Sequence, residues 1–114
     1  MPSADRFEEL VGEALDGLPE WVRMRMDNVV VVVEDHAPRS APGLLGLYQG
    51  VPQDRRGVSY TNALPDRITL FRDTIEAARE GEAALRRLIA RTIAHEIAHH
   101  FGISDERLRE IGAY

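Results

Sequence analysis

The sequence predicts a single α+β domain over residues 1–114, in which a small mixed sheet of about three strands packs against helices. Three observations lead to this prediction. An apolar stripe with helical spacing occupies the N-terminal segment, short β-branched or alternating segments lie in the middle, and a long helical segment lies near the C-terminus. A chain of 114 residues has the size of one compact domain, and 44% of its residues are hydrophobic, which is enough for a packed core.

The first predicted element is an amphipathic helix that begins after Ser3 and ends at Gly17. Its apolar residues recur at the spacing of one helix face, and they are Phe7, Leu10, Val11, Ala14, Leu15 and Leu18. Ser3 suits the N-cap because its hydroxyl can accept a hydrogen bond from the first turn, and glycine followed by Pro19 stops the helix. A short helical turn then brings Trp21 and Val22 towards the core.

Three strands are predicted between the helices. Val29–Val33 consists of five β-branched residues without alternation, which predicts a strand buried on both faces. Leu44–Gln49 predicts a short second strand, after a polar loop with prolines over Asp35–Gly43. Arg67–Phe71 alternates apolar and polar residues and predicts a half-exposed third strand. Gly50–Pro65 is rich in turn-forming residues and shows no regular pattern.

Three helices are predicted in the C-terminal third of the chain: a short one, a long one and a final short one. Asp73 or Thr74 can cap the first. Glycine accepts the left-handed conformation at a helix end, so Gly81 separates the first helix from the second and Gly102 ends the second. Ser104 can cap the last helix. The predicted spans are 73–79, Glu82–Phe101 and Asp105–Ile111.

The composition excludes several kinds of chemistry. All 14 basic residues are arginine, and the absence of lysine excludes Schiff-base chemistry and a lysine-dependent phosphate loop. The absence of cysteine excludes disulfides, thiolate nucleophiles and cysteine-ligated metals. A net charge of −5 disfavours nucleic acid and anionic membranes as partners. Since no segment resembles a signal peptide or a membrane span, we expect a cytoplasmic protein.

The predicted long helix contains an H-E-x-x-H pattern, His95-Glu96-Ile97-Ala98-His99. Residues four apart on a helix lie about 40° apart around the axis and about 6 Å apart along it, so both imidazoles can bind one Zn²⁺. Glu96 lies beside the pair, where it can accept a proton from a water molecule that the metal activates and later return it to a leaving amine.

The pattern continues with Gly102 and Asp105. Two histidines leave zinc under-coordinated, because three protein ligands are the usual minimum. The chain can reverse after Gly102, and the Asp105 carboxylate can then act as the third ligand and leave the fourth position to water. The extended pattern is expected by chance in about one of 10⁴ chains of this composition. An aspartate in the first turn of a helix is also favoured by the helix dipole alone, and Glu106, Glu110 or His36 are alternatives for the third ligand.

Other polar residues have a structural explanation beside a functional one. His100 lies about 140° around the helix from the first histidine of the pattern, so we expect a helix-end residue that does not reach the same ion. His36 is expected at the surface, in a loop that contains prolines. Tyr48, Tyr60 and Tyr114 are candidate donors to a developing oxyanion, although packing is the simpler role for each.

These residues resemble the zincin metallopeptidases and, more narrowly, the small bacterial minimal-zincin family, whose motif continues as HExxHxxGxxD. The resemblance extends to GLYQG at Gly46–Gly50, LPDRITL at Leu64–Leu70 and the ending His95–Gly112, and it covers roughly residues 7–112. The resemblance implies a zincin-like fold. The snapalysin-type secreted proteases are similar to this motif in having aspartate as the third metal ligand. The residues that the resemblance assigns are the zinc ligands His95, His99 and Asp105 and the general base Glu96.

The sequence departs from the larger zincins. Metzincins have a third histidine at the position of Asp105 and a methionine turn after the motif, whereas all three methionines here precede it. Larger zincins also have a C-terminal subdomain that forms one wall of the substrate cleft, but only nine residues follow Asp105. In zincins an edge strand beside the metal binds the peptide substrate, and Arg67–Phe71 is a candidate for this role. The simpler interpretation of this strand is an ordinary sheet edge that Arg67 and Arg72 protect from pairing.

The first functional hypothesis is therefore a zinc metallopeptidase, a hydrolase that acts on a peptide or protein substrate with Zn²⁺ as its cofactor. The alternative is a zinc-binding regulatory or interaction module with little or no turnover, in which a protein side chain closes the fourth zinc position. A third hypothesis is a metal-free helical interaction domain whose motif is coincidental. The sequence determines neither the preferred peptide nor the oligomeric state.

Overall fold

The predicted α+β class is confirmed. A computed structural model describes residues 3–50 and 64–110, and these form helices packed on a three-stranded sheet. None of the described helices is long and apolar enough to cross a membrane. In chain order the elements are α1 (Ala4–Asp16), α2 (Glu20–Arg23), β1 (Val29–Glu34), β2 (Gly46–Gln49), β3 (Asp66–Phe71), α3 (Arg72–Ala78), α4 (Glu82–His100) and α5 (Asp105–Glu110).

The sheet is mixed, as predicted, and its strand order is β1-β3-β2. β1 runs parallel to β3, with Val31 opposite Ile68, and β2 runs antiparallel to β3, with Tyr48 opposite the same Ile68. The strand that comes last in the sequence therefore lies in the centre of the sheet. β2 lies at one edge of this sheet and also contacts α4.

Two predictions about strand burial are wrong. β1 lies at a sheet edge rather than being buried on both faces, and its Val30 is 42% exposed. β3 is not half-exposed, because it is buried from Ile68 to Phe71. β3 is therefore no edge strand, and the peptide-binding role expected for Arg67–Phe71 is not available to it. A run of β-branched residues reports strand propensity, whereas the position of a strand in a sheet depends on distant partners.

The core lies between one face of the sheet and the helices α1 and α4. Phe7 and Leu10 of α1 and Ile68 and Leu70 of β3 are all fully buried in this core. The stripe predicted for α1 is confirmed, with Leu15 partly buried at its margin. One face of α4 is also buried, and its members include Leu85, Leu88, Ile89, Thr92, Ile93 and Ile97.

Most of the predicted helix ends are confirmed. The Ser3 hydroxyl accepts a hydrogen bond from the Arg6 N–H at 3.1 Å and caps α1. Gly81 precedes α4 with φ +85°, and Gly102 follows it with φ +74°. These two positions need glycine because side chains disfavour the left-handed region.

The start of α3 differs from the prediction. The helix begins at Arg72, directly after β3, and Phe71 in the N-cap position makes no side-chain hydrogen bond. Asp73 is inside the helix, and its N–H donates to the carbonyl oxygen of Asp35 at 3.0 Å. A carbonyl group from the loop after β1 thus satisfies one of the free N–H groups in the first turn of α3, in place of the side-chain cap that we expected from Asp73 or Thr74.

Gly46 allows β2 to lie close to α4. A Cβ atom at this position would be 2.8 Å from Cγ2 of Thr92 and 3.2 Å from the carbonyl oxygen of Thr69. The Thr92 side chain is held in place, because its hydroxyl donates to the carbonyl oxygen of Leu88 at 2.7 Å. The strand therefore approaches the motif helix more closely than a residue with a side chain permits.

We predict that Gly46→Ala lowers the free energy of unfolding by about 1–3 kcal/mol, because the added methyl group overpacks the contact between β2 and α4. Chemical denaturation of the purified variant measures this change. Gly43→Ala is the matched control, since a Cβ at Gly43 meets nothing within 4 Å, and it should stay within about 0.5 kcal/mol of wild type. Equal stability of the two variants would contradict the tight contact.

Candidate metal centre

His95, His99 and Asp105 converge at the C-terminal end of α4. One possible ligand atom from each residue lies within 4.8 Å of those from the other two, and the structure describes no other group of this kind in residues 3–50 and 64–110. His95 is half-buried, whereas His99 and Asp105 are exposed. The sequence prediction that these three side chains share one location is consistent with this geometry.

The donor set fits a zinc ion. Nε2 of His99 lies 3.6 Å from Oδ1 of Asp105, which is too long for a hydrogen bond. Two ligand atoms that are each about 2.1 Å from a tetrahedral ion lie about 3.4 Å apart, so this spacing suits two ligands of one metal. The ring centroids of His95 and His99 are 6.0 Å apart, and neutral imidazole and carboxylate are both ordinary zinc ligands.

The turn after α4 brings Asp105 to the histidines. Gly102 has φ +74°, and its N–H donates to the carbonyl oxygen of His99 at 3.2 Å. The next N–H, that of Ile103, donates to the carbonyl oxygen of Ala98 at 2.7 Å. These bonds satisfy the free carbonyl groups at the helix end while the chain reverses direction. The glycine in the motif is therefore explained by the backbone conformation.

The short helix α5 holds Asp105 in its first turn. The Ser104 hydroxyl accepts a hydrogen bond from the N–H of Arg107 at 3.1 Å, as expected for an N-cap. Leu108 is fully buried, and it is the only buried residue of α5. A helix of six residues is not stable alone, so the packing of Leu108 fixes where the Asp105 carboxylate lies.

Glu96 is held by the edge strand β2. Its Oε1 accepts a hydrogen bond from the backbone N–H of Tyr48 at 2.9 Å. The side chain is half-buried and lines the same cleft as His95 and His99. The carboxylate is thus oriented beside the histidines by a residue 48 positions earlier in the chain, which no local pattern in the sequence reveals.

The cleft has a volume of about 380 Å³ and lies between α4 and the segment that leads into β2. Residues 43–46 form one wall, and α4 forms the opposite wall. The motif residues His95, Glu96 and His99 line one part of the cleft, and Arg79, Leu88 and Arg91 line another part. The candidate metal centre therefore opens into a cleft beside a sheet edge.

The environment keeps His95 in the neutral form. Burial is the main cause that lowers the pKa of His95 below its ordinary value, and the positive charge of Arg91 adds to this effect. Asp105 opposes the shift, and His99 adds to it slightly. Neutral imidazole is the form that binds a metal ion, so His95 does not need to lose a proton at neutral pH before it can act as a ligand.

His100 and Tyr48 form a separate contact beside the centre. Their rings stack with centroids 3.9 Å apart and an interplanar angle of 17°. The Tyr48 hydroxyl donates to Oδ2 of Asp66 at 2.6 Å. His100 is absent from the described His-His-Asp group, in agreement with its angle on the helix. The contacts of Tyr48 fit a packing role and give no sign that its hydroxyl serves an oxyanion.

The alternative third ligands lie elsewhere or do not join the group. His36 is 80% exposed, and its Nδ1 lies 2.6 Å from Oδ2 of Asp73 on α3. Glu110 pairs with Arg107 at 3.1 Å. Neither of these residues nor Glu106 belongs to the metal-type group found among the described residues. Two further sequence candidates lie outside the described residues, namely Tyr60 and Tyr114.

Comparison with known proteins gives matches of two kinds. The sequence matches the family model described as zincin-like metallopeptidase over residues 26–113, which includes β2, α4 and the His-His-Asp group. The structure is similar to that of a conserved hypothetical protein from Thermo thermophilus, with a TM-score of 0.56 and 22% sequence identity. This match covers 88% of this chain and 94% of the other chain, and at such identity it concerns the fold alone. No curated protein matches the chain.

We predict that Leu108→Ala loosens α5, because truncating a fully buried leucine costs about 2–5 kcal/mol and leaves a short helix without its main contact. Hydrogen exchange measured by NMR should show faster exchange of the residue-108 amide, which donates to the Ser104 carbonyl in the structure. Glu106→Ala, at an exposed site in the same helix, is the control and should leave this exchange rate near that of wild type. Unchanged exchange in the Leu108 variant would mean that another contact holds the helix.

Proposed function

Since this chain belongs to the zincin-like metallopeptidase family, we propose that it is a zinc-dependent peptidase in which Glu96 is the general base. The proposed zinc ligands are His95, His99 and Asp105. The observation that carries the proposal is that these three side chains converge within 4.8 Å beside a cleft that Glu96 also lines.

The number and type of ligands favour a catalytic site over a structural one. Structural zinc sites are closed by four protein ligands, whereas catalytic sites use three and keep one position open. In the described part of the chain three side chains form the group, and two of them are exposed to solvent. Zinc bound there would supply a Lewis acid that polarises the scissile carbonyl and makes a water molecule more acidic.

Glu96 is suited to move the proton. The N–H of Tyr48 binds Oε1, so Oε2 remains to accept a proton from the attacking water. The same oxygen can then donate that proton to the nitrogen of the leaving amine. Because a hydrogen bond from the backbone fixes the carboxylate, it does not have to be reoriented for each transfer.

Within residues 3–50 and 64–110 no strand pairs with the outer edge of β2, and this edge is suited to bind the substrate backbone. In an antiparallel pair, alternate residues direct their N–H and C=O groups away from the partner strand. The N–H of Tyr48 binds Glu96, so the backbone groups of Tyr48 point away from β3. Gly46 lies two residues earlier in the strand, so its N–H and C=O groups point the same way. The N–H of Tyr48 is already bound to Glu96, so an extended peptide can pair with the N–H and C=O of Gly46 and with the C=O of Tyr48, and place a peptide bond near Glu96. This assignment replaces the role that the sequence suggested for Arg67–Phe71.

We predict that the wild-type protein binds about one zinc ion and that Asp105→Ala binds much less, because two histidines alone hold zinc weakly. Elemental mass spectrometry after dialysis against zinc-containing and then zinc-free buffer measures the content per chain. Glu106→Ala is the matched control and should retain the metal. If both variants retain zinc equally, the third ligand is not Asp105.

We predict that Glu96→Gln reduces peptide cleavage by about 10²–10⁴-fold, because the amide cannot accept the proton, while zinc content stays at the wild-type level. Cleavage of a mixed peptide library, followed by mass spectrometry, measures the activity. Glu8→Gln, at an exposed site on α1, is the control and should cleave like wild type.

Two results would contradict the role of Glu96. Loss of zinc in Glu96→Gln would make the residue a ligand, and full activity would assign the base to another group. Zinc binding without cleavage by the wild-type protein would instead favour a zinc-binding module.

A further inference from the structure

The part of the cleft away from the metal ligands is basic. Arg79 and Arg91 line the cleft together with the motif residues, and an adjoining groove is lined by both of them and by Arg87. All three arginines are exposed. Glu96 is the only acidic residue among those that line these two spaces in the described structure. The positive charge is notable because the whole chain has a net charge of −5.

Two of these arginines differ from several others in the structure. Arg6, Arg72 and Arg86 each form ion pairs with acidic side chains. Within the described ranges, Arg79 and Arg87 form no ion pair, and Nη1 of Arg79 donates only to the carbonyl oxygen of Ala78 at 2.7 Å. The guanidinium of Arg79 therefore retains donors for a ligand that carries a carboxylate.

Two of the arginines lie along the same stripe of α4 as the histidines, whereas Arg79 precedes this helix. Arg87, Arg91, His95 and His99 follow one another at intervals of four residues. One such interval advances about 6 Å along the axis, and long helical side chains lean towards the N-terminus. An extended peptide advances about 3.3 Å per residue, so the guanidinium groups of Arg91 and Arg87 lie about two to four residues away from a peptide bond held at Glu96. Arg79 lines the same groove as these two arginines.

The direction of β2 tells which end of a substrate meets these charges. β2 runs from Gly46 to Gln49, and its Tyr48 lies beside Glu96. The cleft is lined on the strand side by residues 43–46, which precede Tyr48 in the chain, and Arg79 and Leu88 also line it. A peptide that pairs antiparallel with β2 runs in the opposite direction, so the segment after its scissile bond points towards the arginines.

We propose that Arg79 and Arg91 select peptides that carry a carboxylate two to four residues after the scissile bond. This inference rests on the proposed peptidase function and defines its substrate class. The carboxylate is that of an acidic side chain or the C-terminal α-carboxylate of a short peptide. Guanidinium groups bind carboxylates through paired hydrogen bonds, and two of them in one cleft distinguish a carboxylate from a neutral amide.

The test measures binding rather than turnover. The zinc-loaded Glu96→Gln protein is titrated into peptides with a neutral N-terminal fluorophore, and fluorescence anisotropy gives the dissociation constant. One neutral sequence is made with a free C-terminus and with a C-terminal amide. Two further amidated peptides carry a single Glu or a single Gln near the C-terminus. The first pair tests the α-carboxylate as the source, and the second pair tests the acidic side chain.

We expect at least one carboxylate peptide to bind about 5–20-fold more tightly than its neutral partner, since an exposed ion pair changes a binding constant by up to about fivefold and two arginines contribute. The added substitutions Arg79→Gln and Arg91→Gln should remove this preference, and about 1 M salt should reduce it. Arg23→Gln is the matched control, because Arg23 is exposed and does not line the cleft, and it should keep the preference.

Two outcomes would overturn the inference. The first is equal binding of carboxylate and neutral peptides to the protein with both arginines intact. This comparison needs no arginine variant, so it does not depend on how the variants fold. The second is a preference for carboxylate peptides that persists in the variant with both Arg79→Gln and Arg91→Gln. The peptide carboxylate would then bind to the zinc ion or to another site.

The outcomes also separate this inference from the proposed function. If the wild-type protein cleaves no peptide but shows an arginine-dependent preference, the peptidase activity is wrong and the carboxylate site stands. If it cleaves carboxylate and neutral peptides with equal efficiency, the activity stands and the inference fails.

Discussion

The close approach of β2 to α4 determines the geometry of the whole site. Gly46 permits this approach, and two residues later the N–H of Tyr48 reaches the carboxylate of Glu96. A hydrogen bond to a charged group contributes about 1.5–3 kcal/mol, so this contact both joins the strand to the helix and orients the carboxylate. The same approach defines the cleft, because residues 43–46 are one of its walls. The site therefore depends on a packing distance as much as on the identity of its polar residues.

α4 combines a core-forming face with a polar margin. Its apolar positions are buried, and His95 and Glu96 are half-buried where this face meets the cleft. Polar groups in such a position lose part of their hydration and need a partner, which is a backbone N–H in the case of Glu96. Partial burial also keeps the pKa of His95 low, and the imidazole is thereby neutral in the protein. One helix thus supplies stability and prepares the chemical state of its polar side chains.

Local patterns in the sequence predicted the helices and the candidate ligands. The apolar stripe of α1, the glycines at both ends of α4 and the four-residue spacing of His95 and His99 all act over one or two helical turns. The placement of Asp105 was also accessible, because Gly102 lies between it and the helix. The structure differs where distant partners decide. The central position of β3, the exposure of Val30 and the start of α3 at Arg72 all depend on contacts between segments far apart in the sequence.

The division of the candidate ligands between two helices has a thermodynamic consequence. Two of them belong to the 19-residue α4, whereas Asp105 belongs to the six-residue α5, which has a single buried anchor. A ligand that engages only the native arrangement stabilises it by mass action, so each tenfold rise in free ion concentration above the dissociation constant adds about 1.4 kcal/mol. An ion bound as proposed would therefore order the C-terminal helix, and its apparent affinity would fall to the extent that this helix is frayed before binding. The affinity of the centre for the ion and the stability of α5 against local unfolding would then be two measures of one equilibrium.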